Sequence, residues 1–208
     1  MLTGGQKRFS DLYPEHQWSR PAVIDCTTVP RFGLRGRGSC QWLQAAGLGI
    51  PEAVNRAVLE DNGDLLLRLG QNEAMVSGFA SQSALDMQDR WNKGVAPKGY
   101  DAFRRDSWAH ILVTGPEAPA LMAEVTEIDL RTASMPVGLI AQTRALQLDA
   151  VLVRTDRLKV FGYEIFFDIS MLKYFLGVLR ETAAGYDFVI LPESRLERSW
   201  SSPPSRAR

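Results

Sequence analysis

The sequence predicts an α+β protein made of two related halves of the β-α-β-β-α type, packed together. Three observations lead to this fold class. Residues 108–179 alternate strand-like apolar runs and helical patterns in the order β-α-β-β-β-α. The first part of the chain repeats that order more loosely. A charged stretch that contains Gly94, Pro97 and Gly99 (residues 93–105) stands between the two and suits a linker.

In the second half, the elements follow from the spacing of the apolar residues. The run 111–114 predicts a strand that stops at Gly115 and Pro116. A helix over 117–128 follows, and a last helix over 170–184 has one apolar face. Between these helices lie three predicted strands, 138–148, 150–155 and 163–169. The two helical faces consist of Leu121, Met122, Val125 and Ile128, and of Leu172, Phe175, Leu176 and Leu179.

In the first half, the turn signals are the clearest guide. Ser39 suits the N-cap of a short helix that ends at Gly47, after a strand over 32–37. The run 61–64 (Asp-Asn-Gly-Asp) is a strong turn signal before a strand over 65–69. Residues 70–73 then close a hairpin onto 74–79. A helix capped by Ser81 or Ser83 completes the half; its large apolar residues are Leu85, Met87 and Trp91.

These elements divide the chain into four segments. Residues 1–30 are polar and turn-rich, and we expect an N-terminal arm, extended or an irregular edge segment. We expect its apolar residues Leu12, Tyr13 and Trp18 to pack on the body of the protein, with another chain as the alternative. The first half with its linker spans 31–105 and the second half 106–190. Residues 191–208 alternate charge with Ser and Pro, which predicts a flexible tail.

Composition narrows the class of partner. The 208 residues include 24 basic and 24 acidic ones, so the formal net charge is zero. Such a chain has no general electrostatic reason to bind nucleic acid or an anionic membrane. Two cysteines, Cys26 and Cys40, cannot form a disulfide framework. We see neither a signal peptide nor an apolar run of the roughly 20 residues that span a bilayer. A cytoplasmic protein is expected.

Few residue patterns carry chemistry. The Gly- and Arg-rich run 33–38 matches neither phosphate-loop motif, and we interpret it as a strand-to-helix turn. His16 and His110 lie far apart without a ligand partner at helical spacing, so we expect no metal site and interpret His110 as a satisfied strand-end histidine. No nucleophile elbow is present. We therefore predict no catalytic, cofactor-binding or metal-binding residue on this chain.

Asp149 is the one weak catalytic candidate. It separates two apolar runs at an expected tight hairpin, and half-buried carboxylates can be tuned for proton transfer. Turn chemistry alone also favours aspartate there, and we prefer that interpretation.

Two passages together resemble the gamma subunit family of heterotetrameric sarcosine oxidase and its relatives, which include the N-methylglutamate dehydrogenase type. The first contains residues 33–36, 48–51 and 55–78, where the family hairpin L-W-L-G-P-D-E-W-L-L-V-G is represented by LRLGQNEAMVSG. Both tryptophan positions differ, as Arg68 and Ala74. The second contains Gly115-Pro116, 128–130, 136–144, 151–155 and 163–179. The resemblance covers roughly 31–179.

The second half is also similar to the folate-binding fold of aminomethyltransferases, the T-protein of glycine cleavage. The V-S-G-P and N-D-L elements of that family correspond to 113–116 and 128–130. Asp149 falls near the D-D-L-I-V-type strand start that bears the family's catalytic aspartate, with one carboxylate where the motif has two. The later R-x-E-A-G element of the folate pocket has no counterpart.

The resemblance implies a non-catalytic accessory subunit. Its larger partner subunits would carry flavin, NAD and tetrahydrofolate, and their complex would oxidatively demethylate sarcosine or a related N-methyl amine. The alternative is a small tetrahydrofolate-dependent one-carbon transferase, or a folate-binding protein, that acts alone through Asp149.

Overall fold

The computed structural model describes residues 22–78, 81–94, 99–157, 161–186 and 188–192. Within them, strands form two sheets that are almost entirely antiparallel, with helices on the outer faces. The predicted α+β class is confirmed. Among the described residues, no helix combines the length and apolarity needed to cross a membrane.

The first sheet has the strand order β3-β4-β5-β2-β6. Its outer face packs against α1 and α2 through a cluster that includes Phe32, Leu66 and Val76. The strands are β2 Arg31–Arg35, β3 Arg56–Leu59, β4 Asp64–Gly70, β5 Glu73–Gly78 and β6 Tyr100–Asp101; the helices are α1 Ser39–Ala45 and α2 Ser83–Asn92.

The second sheet has the order β11-β1-β7-β10-β9-β8, and only the β1–β11 pair is parallel. The buried faces of α4 and α5 cover it on the outside, with Phe175 and Leu179 packed over Phe167. The strands are β1 Ala22–Asp25, β7 Trp108–Thr114, β8 Ile140–Ala145, β9 Leu148–Arg154, β10 Gly162–Asp168 and β11 Val189–Pro192; α3 is Arg104–Ser107, α4 is Ala118–Val125 and α5 is Leu172–Thr182.

The inner faces of the two sheets pack on each other. Leu65, Leu67 and Met75 of the first sheet meet Val153 and Phe166 of the second in one buried cluster. This leaves each sheet between a helical layer and the other sheet. Strand residues are consequently buried on both faces, which explains why the runs 65–69 and 163–167 are almost continuously apolar.

The two sheets repeat one arrangement. Both β2-α1-β3-β4-β5-α2 and β7-α4-β8-β9-β10-α5 follow the order β-α-β-β-β-α. The spatial strand orders β3-β4-β5-β2 and β8-β9-β10-β7 are the same as well. The second sheet adds β1 and β11 beside β7, and the first sheet adds β6 beside β2.

The two sheets join where β3 and β8 begin. Arg56 and Leu139 form an antiparallel bridge there. On one side of it Ala57 N–H donates to the Gly138 carbonyl at 2.8 Å, and on the other Ile140 N–H donates to the Asn55 carbonyl at 3.0 Å. Asn55 and Gly138 both have positive φ, 58° and 79°. The junction is therefore symmetric about the Arg56–Leu139 pair.

Arg31 ties the segment after β1 to the segment before β7. Its guanidinium is buried and donates to six backbone carbonyls at 2.8 to 3.3 Å. These carbonyls belong to Cys26, Thr27, Val29, Arg104, Arg105 and Trp108. A carbonyl cage of this kind accepts hydrogen bonds from a buried guanidinium and so offsets the cost of its desolvation.

The structure confirms most predicted elements but moves several boundaries. The hairpin at 70–73, the turn at 61–64 and the apolar face of the last helix are as expected. The N-cap of α1 is Gly38 rather than Ser39, which is the first helical residue. Helix α4 ends at Val125, because Thr126 is extended.

Strands also occur where none were expected. Ala22–Asp25 lies inside the predicted arm, yet β1 sits between β7 and β11 in the second sheet. The expectation of an irregular edge segment is wrong for these four residues. Strand β6 falls in the predicted linker, and β11 extends into the first two residues of the predicted tail. The remaining residues of the arm and tail lie outside the described residues, and the four-segment division stays a prediction.

Candidate functional site

An open groove of about 580 Å³ lies at one end of the second sheet, on the face that is turned toward the first sheet. Its wall is a row of four side chains on four neighbouring strands: Trp108, Asp168, Asp149 and Arg144. The register pairs Trp108 with Asp168 and Arg144 with Asp149. Phe167 pairs with Ala150, so Asp168 and Asp149 are neighbours at the next position. Directly opposed residues have Cβ atoms about 5 Å apart.

The apolar floor of this groove is the next row of the sheet. Val151 and Phe166 line it, and both belong to the cluster between the sheets. At one end of the row, the guanidinium of Arg104 stacks on the ring of Trp108, 3.7 Å from the ring centroid. The groove thus combines two carboxylates, an aromatic wall and an apolar floor.

The two carboxylates differ in their surroundings. Asp168 accepts hydrogen bonds from Ser170 N–H at 2.9 Å and Ser170 Oγ at 2.6 Å, and these bonds lower the pKa of Asp168. Asp149 is exposed and has no hydrogen bond or ion pair within the described part of the chain. Arg144 lies directly across the strand pair, but its guanidinium donates to the Gln147 carbonyl at 2.7 Å.

The structure corrects the expected position of Asp149. The turn between β8 and β9 consists of Leu146 and Gln147, whose φ values are 47° and 66°, so Asp149 is the second residue of β9. It is exposed rather than half-buried. The turn explanation for this aspartate is therefore wrong, while its role as a weak catalytic candidate stays a prediction.

A buried ionic network lies in the space between the sheets. Glu164 on β10 accepts from Arg157 Nε at 2.7 Å through Oε1 and from His110 Nε2 on β7 at 2.8 Å through Oε2. All three side chains have no solvent exposure. Arg157 also donates to the carbonyl of Gly63, in the β3–β4 turn of the first sheet, at 2.6 Å. The network therefore connects both sheets.

Burial governs the charge states in this network. Desolvation lowers the pKa of His110 to about 4, because it opposes the imidazolium more strongly than Glu164 favours it. Burial alone would raise the pKa of Glu164, but Arg157 and the hydrogen bond from His110 outweigh it and hold the pKa at about 2. At neutral pH the network is a carboxylate and a guanidinium with a neutral imidazole that donates from Nε2.

Sequence reasoning found one member of this network and missed the other two. We interpret His110 from the sequence as a satisfied strand-end histidine. Its bond to Glu164 confirms that it is satisfied, but it is the third residue of β7 and not an end residue. A signal for Glu164 was present: it is a carboxylate inside the apolar run Tyr163–Phe167, where only a paired charge is stable. Nothing local marked Arg157, because its contacts are made through tertiary structure.

The two connections that correspond in the two halves differ in length. The β9–β10 connection brings Arg157 over the β3–β4 turn at Gly63. The corresponding β4–β5 connection has only Gln71 and Asn72 and reaches no further than the edge of the groove, where Gln142 Nε2 donates to the Leu69 carbonyl at 2.7 Å. Neither Gln71 nor Asn72 lines the groove beside Asp149.

The Gly- and Arg-rich run is a strand-to-helix turn, as predicted. Gly36 and Gly38 have φ values of 109° and 85° between β2 and α1. Arg35 pairs with Glu73 at 3.2 Å, and the carboxylate of Glu73 also bonds to Arg104. In the part of the chain that the structure covers, no three His, Cys, Asp or Glu residues are grouped to hold a metal ion.

Comparisons with known proteins identify the fold. No protein-family model matches the sequence, and no curated protein sequence matches it significantly. The structure is similar to a chain of the heterotetrameric sarcosine oxidase from Corynebacterium sp. U-96 in complex with pyrrole 2-carboxylate, with a TM-score of 0.66 and 20% sequence identity. The alignment covers 85% of this chain and 90% of that one, so the two chains are of similar length.

The second similarity is to an enzyme. The structure resembles the glycine cleavage system aminomethyltransferase T from Bartonella henselae, with a TM-score of 0.60 and 16% identity. The alignment covers 86% of this chain but only 50% of that chain. This chain therefore spans half the length of that transferase. The two fold resemblances inferred from the sequence are confirmed at the level of the fold.

Proposed function

We propose that this chain is a non-catalytic accessory subunit, of the gamma type, in a cytoplasmic flavin-containing complex that oxidatively demethylates sarcosine or a related N-methyl amine. The observation that carries the proposal is the reciprocal match to a chain of a heterotetrameric sarcosine oxidase. Nearly all of both chains is aligned at a TM-score of 0.66. A shared fold over two whole chains of similar length favours a shared place in an assembly.

The non-catalytic part of the proposal draws on how the ionisable groups are used. Glu164, His110 and Arg157 bind one another between the sheets, and Arg31 binds backbone carbonyls. These buried groups hold structural elements together. We therefore expect flavin, NAD and tetrahydrofolate on the larger partner subunits, as the sequence resemblance implies.

We further propose that the two sheets are related halves of one duplicated unit. Equivalent residues make equivalent contacts in both. Asn55 N–H donates to the Arg68 carbonyl at 2.8 Å, and Gly138 N–H donates to the Arg154 carbonyl at 2.7 Å. The Arg68 side chain donates to the Pro51 carbonyl, and that of Arg154 donates to the Met135 carbonyl next to Pro136. Both arginines hold the loop that leads into β3 or β8.

The experiment is affinity purification of the tagged chain from its native host, with partner masses and an absorption spectrum. We expect stoichiometric recovery of larger subunits with bound flavin, and demethylation of sarcosine or another N-methyl amine by that complex. The chain purified alone should be colourless and inactive. Turnover by the isolated, monodisperse chain would contradict the proposal.

A second candidate function is a folate-dependent one-carbon transferase, or a folate-binding protein, that acts alone. Its support is the open groove with Asp149 in its wall and the fold similarity to an aminomethyltransferase. Calorimetric titration of the isolated chain with tetrahydrofolate tests it. Binding that is weakened by Asp149→Asn but not by Asp61→Asn, an exposed aspartate elsewhere, would favour this candidate; no heat of binding would exclude it.

A further inference from the structure

Two carboxylates lie side by side in the wall of the groove at the end of the second sheet. Asp149 and Asp168 are neighbours on adjacent strands, and like charges in this position repel each other. The nearest cation in the row, Arg144, is directed to the Gln147 carbonyl instead of Asp149. The side chain of Asp149 has no partner within the described part of the chain, although it faces an open groove. A cation from outside the chain would relieve the repulsion.

The other half of the molecule indicates which cation fits. The strand registers place Gly63 in the first half where Asp149 lies in the second, and the guanidinium of Arg157 binds at Gly63. That guanidinium binds one carboxylate oxygen of Glu164 at 2.7 Å and the carbonyl of Gly63 at 2.6 Å. The groove also presents carboxylate oxygens near a β-turn, although Asp149 and Asp168 are exposed whereas Glu164 is buried. The two-residue β4–β5 connection supplies no arginine there.

The shape and composition of the groove agree with an arginine side chain. The paired carboxylates can accept the planar guanidinium through several donors at once, which an ammonium group cannot match. Val151 and Phe166 form an apolar floor for the aliphatic part of the side chain. The volume of about 580 Å³ exceeds that of one side chain and leaves room for the residues that flank it.

An apolar rim continues from this groove. Ile169 and Met171 follow Asp168 directly and are 37% and 42% exposed. Phe103, at the start of α3, which contacts the 3₁₀ turn formed by Ile169–Met171, is 67% exposed. Exposed apolar residues beside a groove are typical of a protein interaction surface, and arginine is one of the residues that contribute most to binding at such surfaces.

We infer that the groove receives an arginine side chain from a partner subunit, with Asp149 and Asp168 binding its guanidinium. The inference rests on the proposed function, because it assigns a docking surface for the complex described above. Asp149 is the principal ligand of the incoming arginine, since the carboxylate of Asp168 also caps the turn at Ser170.

In the first test, a short peptide with one central arginine and apolar flanking residues is titrated into the full chain. NMR spectra of the chain report the binding of the peptide. We expect saturable shifts of the Asp149 and Ala150 amides and of the Trp108 indole N–H. Asp149→Asn should weaken binding roughly tenfold, because it removes a charge-assisted hydrogen bond. Asp61→Asn, on an exposed turn, should leave it unchanged. A lysine peptide of the same length that binds equally well, or the absence of saturable shifts, would overturn the inference.

The second test uses the complex. Asp149→Lys should reduce co-purification of the flavin-containing partner by at least about tenfold, whereas Asp61→Lys should not. Both variants should show the same urea midpoint as the native chain or a higher one, which separates docking from folding. If Asp149→Lys retains its partner at native affinity, the docking inference is wrong and the subunit proposal stands. If the native chain captures no flavin-containing partner, the subunit proposal itself fails.

Discussion

The imidazole of His110 and the carboxylate of Glu164 lie 2.8 Å apart, and neither side chain is exposed to solvent. The burial of this pair makes folding stability depend on pH, because desolvation disfavours the charged imidazolium of His110 more strongly than Glu164 favours it. The pKa of His110 is lowered to about 4 in the folded chain, against about 6.5 in an unfolded one. The pKa of Glu164 is lowered to about 2. In both cases the unfolded chain binds protons more readily, so protonation favours unfolding.

We therefore expect the free energy of unfolding to fall as the pH drops below 6.5. The contribution of His110 is complete above pH 6.5 and is lost between pH 6.5 and 4, in total on the order of 3 kcal/mol. That of Glu164 is lost from about pH 4.5 downward. Urea unfolding at a series of pH values measures the change. His110→Gln, which can still donate to Glu164, should flatten the curve between pH 6.5 and 4; an unchanged slope would contradict the assignment to His110.

The pair of Arg157 and Glu164 predicts a strongly non-additive mutant cycle. Arg157→Met should destabilise the chain by about 3–5 kcal/mol, because it leaves a buried carboxylate without its cation. Glu164→Leu should destabilise the chain by a similar amount, because it removes the carboxylate that the buried guanidinium of Arg157 binds. The double variant Arg157→Met/Glu164→Leu should be more stable than either single variant. Chemical denaturation of all four proteins tests the cycle, and additive losses would show that the two charges are not coupled.

Alanine should have opposite effects at two glycines, one at the junction between the sheets and one on an outer helix. A Cβ atom at Gly138 would lie 2.7 Å from the Ala57 carbonyl oxygen, at a φ of 79°, so Gly138→Ala should destabilise the chain by roughly 1–3 kcal/mol. Gly177 lies on the exposed side of α5 with no atom within 4 Å of such a Cβ. Gly177→Ala should stabilise the chain by about 0.5–1 kcal/mol. Thermal unfolding distinguishes the two; equal effects would contradict the close contact at Gly138.

The carbonyl cage of Arg31 predicts a local effect on dynamics. Arg31→Lys keeps the positive charge but has fewer N–H donors, all on one nitrogen. Most hydrogen bonds to the six carbonyls are therefore lost. We expect a loss of about 3 kcal/mol or more in the free energy of unfolding. Amide exchange should accelerate first in residues 26–30 and 104–108, which the guanidinium holds together. Acceleration spread evenly over the chain would indicate a global effect instead.

The sequence predicted the elements whose own side chains define them. The apolar face of α5, with Phe175 and Leu179, is visible in the spacing alone, and so is the hairpin closed at Gln71 and Asn72. Both elements are set by residues close together in the sequence, so the types and spacing of those residues are enough to predict them.

The elements that escaped prediction depend on distant partners. Strand β1 is only four residues long. It forms because it pairs with β7 and β11, two strands that lie far away in the sequence. The β8–β9 turn uses Leu146 and Gln147 at positive φ, where glycine or asparagine would be expected, so nothing local marked it. That shift by two residues moved Asp149 from a supposed turn into the wall of a groove.

The bridge between Arg56 and Leu139 has a consequence for how such a chain could arise. Each of the two residues occupies the same place in its own half, so the contact is self-complementary. Under the proposed duplication, two copies of a single ancestral half could have met through that contact as a homodimer with twofold symmetry. Fusion would then have released the two copies from the need to remain identical. One could keep the long arginine-bearing connection while the other shortened it and opened a surface to a different chain.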